Sequence, residues 1–464
     1  MKGRTEEELP DPGGDMADAQ AGRPASHERP GGGKHEGVQE PTLMEQVLAS
    51  ENLILAWKRV KANKGAPGID GITIGEFPAF LREHWSRIRS ELQEGTYRPA
   101  PVRRVFIPKP DGTERPLGVP TVLDRLIQQS FAQVLRPLFE GGFSDHSHGF
   151  REARCAHQAV GEMEAGWKEG RRHAVDCDLK SFFDTVNHDR LMGQLRGKVR
   201  DRKVLGLIRR YLQSGVRLPD GTFEATAEGV PQGGPLSPLL ANVVLDPLDK
   251  ELERRGHRFA RYADDFLVMV KSAKAAQRVK ESLTRFIEGK LKLKVNRTKS
   301  QAVPLRKCTF LGFCLGGRGQ LKWTEKAVRR FKLRVKEITS RSRGRHVNDV
   351  IRELRLYVNG WFNYFGISRT YGELLKLDEW IRRRVRLYYW KQWKQPRTRR
   401  RQLIALGIPP GETKLATRSR KGYWRMSRNT ILSRALNNKR LKERGVPEMR
   451  SKWIVLHYGP KARV

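Results

Sequence analysis

No apolar run in the sequence reaches the roughly eighteen residues that a membrane-spanning helix needs, so such a span is excluded. The start of the chain also lacks a basic stretch leading into an apolar core, and no secretory signal is visible. Cysteine is scarce: Cys155, Cys177, Cys308 and Cys314 are the only four in 464 residues. None forms a C-x-x-C and no two pairs have zinc spacing, which argues against a zinc module or a disulfide framework. Thiols in a reducing cytosol are expected, and with them a cytoplasmic location. Acidic residues are in short supply too, with 51 Asp and Glu against 91 Lys and Arg, a formal net charge of +40. That excess points to a polyanionic partner, since neutralised phosphates release counterions and dominate nucleic-acid affinity. Charge alone would equally suit a ribosomal-type or membrane-surface protein.

The length allows roughly three domains. Residues 1–40 hold 9 acidic and 5 basic side chains and few large apolar ones, so disorder is expected there. A globular pattern follows over 41–319. Glu51–Lys61, Pro78–Glu94, Leu123–Leu138 and Leu239–Leu248 read as helices, and Arg103–Pro108 and Ala174–Leu179 as strands. Over 320–395 apolar side chains recur at helical spacing with Lys and Arg between them, predicting three basic amphipathic helices. Residues 396–464 read as a basic, nucleic-acid-binding region, for which a solvated tail is the competing description. The fold class expected is α+β with a helical C-terminal part.

Tyr262-Ala263-Asp264-Asp265 joins a short strand, Arg258–Tyr262, to the apolar run Phe266–Val270. This places two carboxylates at the tip of a β-hairpin. Paired carboxylates on a rigid turn suit hard divalent cations, although a solvated acidic turn has the same composition. Upstream, Asp176 and Asp178 alternate onto one strand face, with Asp178 near its end, where it serves either as a ligand or as a strand-end cap. Between these acids, Gly229–Pro238 contains Gly233-Gly234 flanked by prolines, a tight loop leading into an apolar helix. Lys109 and Arg115 flank the turn Pro110-Asp111-Gly112, as a phosphate clamp or as ordinary surface charge.

In their order along the chain, Asn63–Thr73, Ile107–Pro120, Val175–His188, Gly229–Asn242, Arg261–Asp265, Asn296–Lys299 and Phe310–Phe313 resemble the blocks of group II intron-encoded reverse transcriptase/maturases. The resemblance implies a right-hand polymerase, with fingers and palm on an antiparallel sheet and a helical thumb/maturase domain. It implies an RNA-directed DNA polymerase working with two Mg²⁺ ions. Asp178, Asp264 and Asp265 would be the catalytic metal-binding acids, with the Leu179 carbonyl as a further ligand. Lys109, Arg115, Phe183, Gln232 and Lys299 would bind the nucleotide, and Phe310, Leu311, Gly312 and Phe313 would form the primer grip. Phe183 would sit under the incoming sugar and exclude a 2′-hydroxyl.

Gly360–Phe365 resembles the family's maturase domain, implying binding to intron RNA and help with its splicing and mobility. Trp361, Arg399, Arg400 and Arg401 are the expected RNA contacts. The implied partners are intron RNA and RNA template, a DNA primer or target, and deoxynucleoside triphosphates, with no membrane. Cysteine pairs like those of the family's endonuclease module are lacking after Cys314, so the endonuclease-lacking bacterial type is expected, with the primer supplied from elsewhere. A splicing-only maturase, or a reverse transcriptase of a retron or defence lineage, are the alternatives.

Overall fold

The computed structural model describes residues 40–108, 112 and 114–459. The disorder expected for residues 1–39 and the clamp role of Lys109 lie outside the described residues.

The chain divides into two compact units. The first comprises, among the described residues, those from 40 to 155, 175–268 and 274–302. It opens with helices, among them Ser50–Ala62 and Phe77–Glu94, whose Trp57, Val60, Phe77 and Leu81 share a buried cluster with Val122 and Leu126 of α1 (Val122–Glu140). The helix Phe77–Glu94 stops at Gly95, which takes the left-handed conformation (φ 76°) where a side chain is disfavoured. One sheet has the order β2-β1-β4-β5, from β1 (Val102–Pro108), β2 (Glu114–Val119), β4 (Val216–Arg217) and β5 (Phe223–Glu224). β1 and β2 are antiparallel, with Ile107 opposite Arg115.

The second sheet has the order β6-β7-β3-β8, from β3 (His173–Cys177), β6 (Arg258–Tyr262), β7 (Asp265–Val270) and β8 (Gln301–Pro304). All of β7 after Asp265 is buried, as its unbroken apolar run requires. β3 ends at Cys177 rather than at Leu179. Beyond it the Asp178 N–H turns to the Ser300 hydroxyl (3.0 Å), and Leu179 forms only an isolated bridge with Val295. The helix expected over Leu239–Leu248 is longer, running from Ser237 to Arg254 as α2.

The second unit comprises, among the described residues, 156–174, 269–273 and 303–459. It holds the antiparallel hairpin of β9 (Phe313–Leu315) and β10 (Leu321–Trp323), then the helices Glu325–Ile338, Val347–Phe365 and Tyr371–Gln392. These match the three basic amphipathic helices read from the sequence. Residues 396–459 are helical rather than a solvated tail. Short helices bury Leu403, Leu432, Leu436, Leu441, Met449 and Trp453.

Candidate active site

The tip of the β6–β7 hairpin is two residues, Ala263 and Asp264, and Ala263 sits at φ 59°, a strained position for a residue with a Cβ. What over-determines it lies behind the strand. Arg261 has no exposed surface and forks onto Asp249 of α2, itself fully buried, at 2.8 and 2.5 Å. The same guanidinium donates to Asn242 Oδ1 and to the carbonyl of Ala263, both at 3.0 Å. The backbone of 146–149 lies against the hairpin: Arg261 N–H donates to His146 O (2.9 Å) and His148 N–H to Arg261 O (2.8 Å). A Cβ on Gly149 would stand 2.2 Å from Ala263 N, so only glycine lets the two backbones touch. Arg261, Asp249 and Gly149 as supports were not foreseen. The available signal was an arginine in the interior of a strand, between apolar neighbours, which demands a partner.

Asp178 is fixed from the segment 296–300. Asn296 donates its side-chain amide to Asp178 Oδ2 (2.9 Å), and Lys299 Nζ stands 3.9 Å from the same oxygen. The carboxylates of Asp176 on β3, of Asp178 just beyond it, and of Asp264 and Asp265 at the hairpin act on one another. Burial, then Asp176, Asp264 and Asp178, push Asp265 up to about 7. Burial also raises Asp264, with Asp178 adding to the rise and the charges of Arg115 and Arg261 opposing it. Asp176, absent from the expected catalytic set, is raised by burial and by Asp178 while accepting a 3.4 Å hydrogen bond from Gln301. Among the described residues no three acidic, His or Cys side chains close into a finished cage. Oxygen donors brought near one another but left open suit a hard cation that takes its remaining ligands from substrate phosphates and water.

A cavity of about 470 Å³ is lined by Phe183, Asp184, Gln232, Arg104, Phe106 and Gly118, among others. Phe182 is buried, whereas its neighbour Phe183 lines the cavity. The glycine loop is stapled on both sides: Val230 N–H donates to Phe183 O (2.6 Å), and Gly118 N–H donates to Gln232 O (2.7 Å). A Cβ on Gly233 would lie 2.4 Å from Gly118 O, which is the close backbone approach that the loop's composition suggested.

In the second unit Phe310 and Phe313 exchange backbone hydrogen bonds at 2.9 Å around Leu311 (φ 51°) and Gly312 (φ 85°). Both central residues at positive φ define a type I′ turn. Both phenyl rings are buried and anchor the turn, and its half-buried tip is held by Tyr364, whose hydroxyl donates to Leu311 O (2.9 Å).

Comparison with known proteins places these features. The family described as "Reverse transcriptase (RNA-dependent DNA polymerase)" matches residues 107–315, and "Group II intron, maturase-specific domain" matches 328–405. Protein YkfC of Escherichia coli K12 is 33% identical over 300 residues, covering 56% of this chain and 78% of YkfC. The group II intron-encoded protein LtrA of Lactococcus lactis is 32% identical over 359 residues, covering 62% of this chain and 59% of LtrA. The chain belongs to the group II intron reverse transcriptase/maturase family. A solved structure titled "Partial Cas6-RT-Cas1--Cas2 complex" is more distant, with a TM-score of 0.36 and 23% identity over 57% of this chain and 45% of that one.

This reverse transcriptase is therefore an RNA-directed DNA polymerase carrying a maturase-specific domain. No helix among its described residues is long and apolar enough to cross a membrane. Within the maturase-specific segment, Trp361 is 9% exposed and packs against Trp323, Phe331 and Phe365 at ring distances of 5.0, 4.5 and 4.9 Å. Its indole supports the aromatic core and leaves little face for a nucleobase. Arg399 is half-buried on the helix Pro396–Ala405, and Arg400 and Arg401 beside it are both exposed.

Proposed function

We propose that this reverse transcriptase extends a DNA primer on an RNA template by adding deoxynucleotides to its 3′-hydroxyl, and that it binds intron RNA to assist splicing and mobility. The observation that carries the reading is the convergence of Asp178, Asp264 and Asp265 in the unit that also holds the Phe183–Gln232 cavity. Asp178, Asp264 and Asp265, with the Leu179 carbonyl, would hold two Mg²⁺ ions. Bound there, the ions activate the primer hydroxyl and neutralise the leaving pyrophosphate. Arg115 and Lys109 steady the triphosphate, and Lys299, beside Asp178, acts near the leaving group. Gln232 lines the nucleotide pocket. Phe183 presents a phenyl ring to the sugar, with neither space nor a hydrogen bond for a 2′-hydroxyl. The turn Phe310–Phe313 grips the primer. Residues 41–319 act as fingers and palm, 320–395 as thumb and maturase domain, and 396–464 as a nucleic-acid-binding region of a cytoplasmic protein.

Primer extension tests the enzyme reading. Asp264→Asn should lower Mg²⁺-dependent extension more than about a hundredfold, as loss of several kcal/mol of metal-borne charge stabilisation requires. Wild-type protein inactive at every Mg²⁺ concentration would remove the polymerase role. Phe183→Ala should admit ribonucleotides, seen as a rise in their kcat/KM relative to deoxynucleotides; unchanged discrimination would take the sugar contact away from this ring.

A further inference from the structure

One cluster in the second unit gathers positive charge with no described carboxylate at ion-pair distance. The ring of Tyr423 has Arg341 Cζ at 5.0 Å, Lys391 Nζ at 5.3 Å and Arg399 Cζ at 5.7 Å from its centroid. Three cations within 6 Å of one centroid lie within about a Debye length of one another, so their repulsion is little screened. Next to Tyr423, the indole of Trp424 is 40% exposed and carries Arg383 Cζ at 3.8 Å. Arg383 is only 9% exposed, and its Nε has no hydrogen-bond partner. The charge of Arg428 also reaches Arg383, opposed by that of Glu379 one turn earlier on the same helix. Among the described residues, none of these five cations is ion-paired with a carboxylate, although pairs such as Arg345–Glu353 and Arg434–Glu412 form elsewhere in the same unit.

Buried or crowded cations are normally ion-paired, and here no described carboxylate stands within ion-pair distance of any of the five. A guanidinium stacked on an aromatic ring uses its face; Arg383 spends one in-plane donor on Trp424 O (3.4 Å) and Arg399 its Nε on Trp393 O (2.9 Å), and the remaining donors are kept for a phosphate. An exposed indole beside phosphate-binding cations is what an unpaired strand requires, since a base within a duplex offers no free face. The cations Arg341, Arg383, Lys391 and Arg399 all fall within the maturase-specific match at 328–405, which favours RNA. The aromatic floor comes from residues 423 and 424, beyond that match.

We propose that Tyr423 and Trp424, with Arg341, Arg383, Lys391 and Arg399, form a seat for an unpaired stretch of RNA. Phosphates lie on the cations and a base stacks on Trp424. The proposal rests on the reading of this chain as an intron-RNA binder and adds where, and in what form, the RNA is held.

Fluorescence anisotropy with the full chain tests it. The probes are a short unstructured oligoribonucleotide, the same sequence as DNA, a blunt RNA duplex of equal length, and a group II intron RNA. Trp424→Ala should weaken oligoribonucleotide binding about tenfold, and Trp424→Phe should restore most of it. Arg341→Gln with Lys391→Gln should reduce the salt dependence of log affinity by about 0.7 for each phosphate no longer neutralised, without relying on any aromatic change. Duplex binding should change far less in every variant. Unaltered oligoribonucleotide affinity in both the folded aromatic variant and the charge variant overturns the seat, and equal losses on the duplex overturn the unpaired form. Tighter binding of the DNA strand overturns the assignment to RNA. Wild-type protein that ignores intron RNA while the variants still lose oligoribonucleotide binding counts against the maturase reading and not against the seat.

Discussion

Arg261 carries a full charge with no exposed surface, three residues before the acid at the hairpin tip. Its fork on Asp249 and its bond to the Ala263 carbonyl tie the strained turn to a rigid helix. Arg261→Met would strand a buried carboxylate and destabilise the fold by about 3–5 kcal/mol, read as a lower midpoint in chemical unfolding. Arg261→Lys keeps the charge but not the fork. It should leave a folded protein whose kcat falls roughly ten- to a hundredfold, with a smaller change in nucleotide KM, because reacting groups displaced by an ångström lose catalysis before binding. A lysine variant with normal kcat would reduce Arg261 to a purely structural residue. The hairpin that carries Asp264 and Asp265, and the strand that leads to Asp178, were legible in the sequence because their apolar alternation announces them. The supports were not. Asp249 meets Arg261 only through tertiary packing, and Gly149 matters for what touches its backbone, which leaves no trace in composition.

The C-terminal helices show where periodic patterning runs out. Pro396–Ala405 buries only Leu403, and several of its successors are six residues or fewer, too short for a 3.6-residue period to register. Their order comes instead from tertiary bonds such as those of Asp378. This buried carboxylate on the helix Tyr371–Gln392 accepts from the N–H groups of Met449 (3.1 Å) and Arg450 (2.9 Å), the first turn of the last helix. Burial outweighs both bonds and pushes Asp378 up to about 6 from the usual 3.8. A carboxyl raised on folding binds more protons in the native state. Its stabilising contribution is therefore complete below about pH 4 and is lost as the pH rises to about 6, amounting to at most about 3 kcal/mol. Urea unfolding across that range should show the decline, and Asp378→Asn should flatten it; an unchanged slope in the variant would assign the pH dependence elsewhere.

At the scale of the whole molecule, a net charge of +40 makes ionic strength the main control on binding. If six to ten phosphates are contacted, affinity for an RNA–DNA template–primer should fall about 10³- to 10⁵-fold between roughly 50 and 200 mM salt. A nearly flat titration would show that this charge does not face the duplex. The division into two units has a further consequence, because the chain passes between them at residues 155, 174, 268, 273 and 302. Residues 156–174 are made early, yet they pack with segments that follow much later: Glu164 accepts from Leu321 N–H at 2.8 Å, and Gly319 abuts Trp167. On the ribosome this helix must wait, with its apolar face uncovered, until residues beyond 303 emerge. A fragment starting at 303 would lack it altogether. Exchanging C-terminal halves between relatives would have to carry the 156–174 segment along.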